Sequence, residues 1–118
     1  MTLALVLAVA LGAGQSAKAA DEARIAGSWT SKYGTVIFNI TPNGGISGFW
    51  KQDKGQGTVS NGLFVGNSLA FSYYEPWSKA TGTALLVLAS DGRTLTGRWA
   101  ERDGEGKETN GDWLLTRN

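Results

Sequence analysis

Cysteine and histidine are both absent from the 118 residues. Without cysteine there is no disulfide framework, no thiolate metal site, no thiol nucleophile and no lipid-anchoring cysteine. Without histidine a Ser-His mechanism has no base, so Ser47, Ser60 and Ser72 stay ordinary hydroxyls. An excess of either charge is missing too: 11 Lys and Arg stand against 10 Asp and Glu. That balance leaves no electrostatic footprint for nucleic acid or an anionic membrane. Only 2 prolines occur, and no stretch repeats its apolar residues at helical spacing. Glycine and tryptophan are what the chain has in quantity, 17 and 5 residues. The glycines stand singly or in pairs at turn and strand positions, not as a low-complexity linker.

The longest apolar run, Leu3 to Leu11, is too short to span a bilayer. After it come Gly12-Ala13-Gly14-Gln15-Ser16 and Ala17-Lys18-Ala19, the small-x-small pattern of a signal-peptidase site. The expectation is an exported protein, periplasmic or secreted, with residues 1–19 as its signal peptide. Residues 20–118 then form one domain with no membrane span. A domain of about a hundred residues can be held by its core without disulfides.

One phrase recurs in that domain: Ile25-Ala26-Gly27-Ser28-Trp29, Ile46-Ser47-Gly48-Phe49-Trp50 and Leu95-Thr96-Gly97-Arg98-Trp99. A shortened copy, Gly111-Asp112-Trp113, lies near the C-terminus, and Leu69-Ala70-Phe71-Ser72-Tyr73 keeps the spacing. Side chains alternate faces along a strand, so the aliphatic residue, the glycine and the ring point the same way. The glycine leaves space or lets the strand coil beside a bulky ring. Strands are predicted over residues 25–31, 35–41, 46–52, 57–65, 68–74, 81–89, 94–100 and 111–117. Asn43-Gly44 and Gly66-Asn67 mark hairpins, and Asn61-Gly62 marks a bulge. Pro76 makes residues 75–80 a loop, and residues 101–110 read as the longest connection.

Eight short strands with tight connections predict an all-β, antiparallel up-and-down meander, which loses its open edges by closing into a barrel. Taking the tryptophan phase as inward, the lumen receives Ile25, Trp29, Val36, Phe38, Ile40, Ile46, Trp50, Val59, Leu69, Phe71, Tyr73, Leu86, Leu88, Leu95, Trp99, Trp113 and Leu115. Ile37, Phe49, Leu85 and Val87 are the apolar exceptions outside. They are either a contact patch for self-association or scattered surface hydrophobes.

Gly27-Ser28-Trp29 near the start, with Arg117 closing the last strand, resembles the signature of the calycin superfamily. In lipocalins and their relatives a strand-one tryptophan packs under a basic side chain from the end of the barrel. Such a contact is worth about 0.5–2 kcal/mol. Gly27-Ser28-Trp29, Gly34, the Asn43-Gly44 turn and Ser47-Gly48 before an aromatic pair are similar to the first three strands of avidins. Avidins hold the polar head of biotin with Asn, Ser and Tyr; Ser31, Thr35 and Trp50 stand at the matching positions. Trp99 matches a tryptophan of the biotin box, Ala84 stands where another belongs, and the polar residue of the last strand has no counterpart. The resemblance therefore implies the fold and not that ligand.

The candidate catalysts are few. Glu75, Asp91, Glu101, Asp103, Glu105, Glu108 and Asp112 fall mostly in predicted turns, where carboxylates are solvated, whereas a general acid or base needs a shielded position. The run from Asp103 to Glu108 lacks the alternating ligand order of a calcium loop. Neither an enzyme nor a metal or other cofactor is expected. Trp29, Trp50, Tyr73, Trp99 and Trp113, with Ser31 and Thr35, are the expected ligand-binding residues. Tyr33 and Trp77 are the expected loop contacts at a mouth. The partner that follows is a small apolar or aromatic ligand. The other reading is an extracytoplasmic protein-interaction or inhibitor module with a filled core.

Overall fold

The computed structural model describes residues 22–118, so the expected signal peptide lies outside the described residues. After a helical turn, in which Ile25 and Ala26 donate their amides to the Glu22 carbonyl, come eight strands. They are β1 (Gly27–Ser31), β2 (Gly34–Ile40), β3 (Ile46–Gln52), β4 (Gly55–Val65), β5 (Ser68–Glu75), β6 (Ala80–Leu88), β7 (Thr94–Arg102) and β8 (Glu108–Arg117). Each pairs antiparallel with the next and β1 pairs with β8, so the sheet is a closed barrel. No helix among the described residues is long and apolar enough to cross a membrane.

The strands form where the chain is β-branched or aromatic on one face and polar on the other. Thr35-Val36-Ile37-Phe38 in β2 is the plainest case. Its hairpin to β3 closes through Thr41, whose amide donates to the Gly45 carbonyl at 2.9 Å and whose hydroxyl takes the Gly45 amide at 2.9 Å. Gly44 supplies the positive φ of 82° that this turn needs. The β1–β8 seam is short, Trp29↔Arg117 and Thr30↔Thr116. Asn118 reinforces it, donating its amide to the Ser28 carbonyl at 3.0 Å and its side-chain Nδ2 to Ser28 Oγ at 2.7 Å.

Two expected loops are shorter than their composition suggested. Glu101↔Thr109 and Arg102↔Glu108 pair across β7 and β8, which leaves only residues 103–107 as the connection. The charged side chains there were compatible with strand because alternate ones face water, and Arg102 and Glu108 bond across the pair. Pro76 starts a connection of residues 76–79, while Glu75 remains in β5 opposite Ala80. At the N-terminal end the strand begins at Gly27, and Ile25 belongs to the turn that plugs the barrel.

The lumen is filled by the inward phase, with Trp29, Val36, Leu69, Leu86, Leu95 and Leu115 fully buried. Ala80 and Ala84 of β6 join the expected set as buried residues, and two further positions depart from it. Ile40, the last residue of β2, runs past the packed lumen and is 41% exposed. Phe64 is inside because the register of β4 shifts between Ser60 and Leu63, around Asn61 with φ 53°. A bulge adds a residue and flips the phase beyond it, so Val59 and Phe64 share a face while Leu63 and Val65 point out. Among the outward exceptions Leu85 and Val87 are exposed, and Ile37 and Phe49 are half-buried.

Candidate functional site

The barrel is solid at one end and hollow at the other. A cavity of about 200 Å³ lies under the β1–β2, β3–β4, β5–β6 and β7–β8 connections. It is lined by Tyr33, Trp50, Gln52, Lys54, Tyr73, Glu75, Trp77, Trp99, Glu101 and Trp113.

Strand direction explains which residues meet there. The odd-numbered strands run toward this end, and their inward positions carry the rings Trp50, Tyr73 and Trp99. The even-numbered strands place glycine opposite each ring: Trp50↔Gly57, Tyr73↔Gly82 and Trp99↔Gly111. Each ring lies across its glycine. A Cβ on Gly57 would sit 2.4 Å from the Trp50 ring, and one on Gly82 would sit 2.3 Å from Tyr73 Cζ. One on Gly111 would sit 2.9 Å from the Trp99 ring. Ring and glycine therefore alternate around the wall, and any side chain at those glycines would force the rings into the cavity. Gly48 and Gly97, inside the recurring phrases, act differently. A Cβ on Gly48 or Gly97 would strike the Ile37 or Leu85 carbonyl of the neighbouring strand, so these glycines permit close backbone approach rather than room for a ring.

Trp113, on β8, is the floor. Its Nε1 donates to Ser31 Oγ at 3.1 Å, and that hydroxyl also takes the Tyr33 amide and donates to the Gly34 carbonyl. Ser31 is thereby spent on holding Trp113 and the β1–β2 turn in place. The rings meet edge to face: Trp50–Tyr73 at 5.3 Å between centroids, Tyr33–Trp99 at 5.9 Å and Trp50–Trp77 at 6.0 Å. Perpendicular contacts of this kind turn flat rings into the walls of a box. Trp77 reaches over from the β5–β6 connection and packs on Gly55, and the Gly104 amide donates to the Ser78 carbonyl, tying two of the connections together. Lys32 covers the Tyr33 ring at 5.1 Å.

Polar groups enter one step farther along the odd-numbered strands, since the residue two beyond an inward ring also faces in. Trp50 is followed in this way by Gln52, Tyr73 by Glu75, and Trp99 by Glu101. Tyr73 donates its hydroxyl to Glu101 Oε1 at 2.8 Å, passing over Gly82, which pairs with both residues. Burial, then the bond to Glu101, pushes the Tyr73 phenol well above its ordinary value, so it stays protonated and a donor. Ser78 donates its hydroxyl to Glu75 Oε2 at 2.9 Å. Burial raises the Glu75 carboxyl above its usual range, with Ser78 and Lys54 pulling the other way and Glu101 adding to the rise.

The structure brings Trp50, Tyr73, Trp99, Trp113, Tyr33 and Trp77 to one cavity. It separates two of the expected ligand contacts from it. Trp29 lies at the solid end, where its Nε1 donates to the Ile25 carbonyl at 2.8 Å and Arg117 covers its ring at 4.4 Å. Thr35 pairs with Thr30 and Lys51 on the outward phase of β2, one residue out of step with buried Val36. Ser31 touches the cavity only through Trp113. Glu75 and Glu101 correct the expectation of solvated carboxylates in turns, because both stand on strands and face inward. The sequence reading misses both; the signal that points to them is the inward phase of β5 and β7 continued past Tyr73 and Trp99.

No group of three or more Asp or Glu side chains among the described residues is placed to share a metal ion. Fold and site together define a closed eight-stranded antiparallel barrel with an aromatic box at one end. No protein-family model and no curated protein matches the chain.

Proposed function

We propose that the protein is a non-enzymatic binding barrel that takes one small ligand into the cavity above Trp113. The observation that carries this reading is the hollow end itself, where six aromatic side chains surround about 200 Å³. A barrel whose rings only filled space would be packed there as it is around Trp29. That volume is below the ~300 Å³ at which pockets for drug-sized ligands begin, so the ligand is a single ring or a compact branched head. The filled-core interaction module is the weaker reading because its core would have no such space. Export belongs to the proposal and rests on the Leu3–Leu11 run and Ala17-Lys18-Ala19. A calycin-like ancestry does so too, supported by the Arg117–Trp29 contact and the meander order. Biotin does not fit the reading, since Thr35 faces outward and the Ser31 hydroxyl is engaged by Trp113, Tyr33 and Gly34.

The test is an NMR titration of the purified protein with a panel of small neutral aromatic and small cationic compounds, following the indole N–H signals. A binder is expected to move the signals of Trp50, Trp77, Trp99 and Trp113 and leave Trp29 in place as an internal control. A panel in which no compound moves any of the four cavity indoles overturns the reading.

A further inference from the structure

Resting on that binding reading, we infer that the ligand is a small organic cation, an alkylated ammonium head held between ring faces and the carboxylates of Glu75 and Glu101. Two observations converge on this. The first is the box: Trp50, Tyr73 and Trp99 form walls at steep angles to their neighbours, and Trp113 closes the floor. Ring faces carry partial negative charge, and several faces turned toward one volume attract a cation more than they attract a neutral group.

The second is the pair of carboxylates facing the same volume. Among the described residues neither forms an ion pair; the ion pairs there are Arg98–Asp112 and Arg102–Glu108, out on the exposed faces of β7 and β8. Each cavity carboxylate has one oxygen bonded to a neutral hydroxyl, from Ser78 or Tyr73. Among the described residues Lys54 is the one ammonium lining the cavity, exposed at its outer edge, so two carboxyl groups face one ammonium there.

The choice between a neutral and a charged ligand follows from desolvation. A neutral apolar occupant would strip water from Glu75 and Glu101 and return nothing, which is the costliest outcome for a carboxylate. A cation returns an opposite charge to both while its alkyl groups meet the rings. A bare metal ion is the wrong cation, because hard cations take six or more oxygens and the cavity offers two carboxylates and the Gln52 amide among aromatic rings. An alkylated ammonium spreads its charge over methyl groups and gives up its water readily, which suits a box rich in faces and poor in acceptors.

The test compares choline with its uncharged carbon isostere, in which the quaternary nitrogen is replaced by carbon, on the same protein and with the same indole signals. Choline is expected to bind about tenfold or more tightly, because shape is held constant and only the charge differs. Added salt should weaken choline and leave the isostere unchanged. Glu75→Gln and Glu101→Gln should each weaken choline about threefold or more without weakening the isostere. The wild-type comparison stands alone if either variant fails to fold. An isostere that binds as tightly as choline overturns the cation inference and leaves the small-ligand reading standing. So does a neutral aromatic that binds when choline does not. If neither choline, nor its isostere, nor any panel compound moves a cavity indole, the binding reading itself fails.

Discussion

Trp29 and Trp99 stand at the same place in the same recurring phrase, yet the two ends of the barrel use them in opposite ways. At the solid end Trp29 is fully buried, its N–H is bonded to the Ile25 carbonyl, and its ring is covered by Arg117. Arg117 is itself held by the Ala26 carbonyl at 3.0 Å. At the hollow end Trp99 is half-buried, its Nε1 donates to no acceptor among the described residues, and its ring is placed by Gly111 and Tyr33. An indole N–H buried without a partner costs about 1–3 kcal/mol. The chain completes the first site with its own cation, whereas among the described residues the second has only Lys54, at its outer edge. The Arg117–Trp29 contact at the solid end is thus an example, within the same molecule, of the cation-on-indole contact proposed for a ligand at the hollow end.

The strongest way to break that comparison is to remove each indole in turn. Trp29→Ala opens a cavity in a sealed core and leaves Arg117 and the Ile25 carbonyl without their partner, so a loss of about 3–5 kcal/mol is expected. Trp99→Ala removes a half-buried ring beside an existing space and should cost about 1–2 kcal/mol. Urea denaturation of the two variants checks this, and equal losses would mean that both ends are structural. A smaller effect comes from the glycines. Gly82→Ala puts a methyl within the Tyr73 ring, with an expected cost of about 1–3 kcal/mol. It should also displace the Tyr73 hydroxyl from Glu101 and shift the Trp50 indole signal while the Trp29 signal stays fixed. Movement of Trp29 as well would show that the two ends are mechanically coupled.

How much of this was legible beforehand differs between the two ends. The recurring ring phrases and the Asn43-Gly44 turn were enough for eight strands and a closed ribbon, because alternation and turn chemistry are local properties. The contact of Arg117 with Trp29 was legible only through the resemblance to calycins. The separation of Trp29 from Trp50 and Trp99 was not legible, since height along the barrel axis depends on the stagger that joins β1 to β8. Glu101 was hidden for a related reason. Its neighbourhood reads as a charged loop, and only the pairing Arg102↔Glu108 shows that β7 continues past it. Phe64 needed the phase flip at Asn61, which a bulge motif suggests without saying which side of it turns inward. The pairing of rings with Gly57, Gly82 and Gly111 likewise belongs to the register rather than to any single phrase.

The smallest expected effect is also the sharpest, because stability and binding should move in opposite directions with pH. Burial raises the Glu75 carboxyl, so in the folded chain it holds its proton to higher pH than in the unfolded chain, where the ordinary value is about 4.3. Between those two values the folded state binds more protons, and stability falls as pH rises. The contribution is fully present below the unfolded value and is gone once pH has passed the folded one. Glu75 is only half-buried and water screens it, so the change should be below about 1 kcal/mol. Glu101 across the cavity adds to the rise, while Lys54 at its edge and the Ser78 hydroxyl oppose it; the Tyr73 phenol stays neutral throughout. A bound cation needs the ionised carboxylate, so choline affinity should increase over the same window in which stability declines. Glu75→Gln should flatten both slopes. Denaturation midpoints and choline titrations measured across that window on the two proteins decide the matter. A choline affinity that stays level while the stability slope is present would place Glu75 outside the binding event and confine its role to the fold.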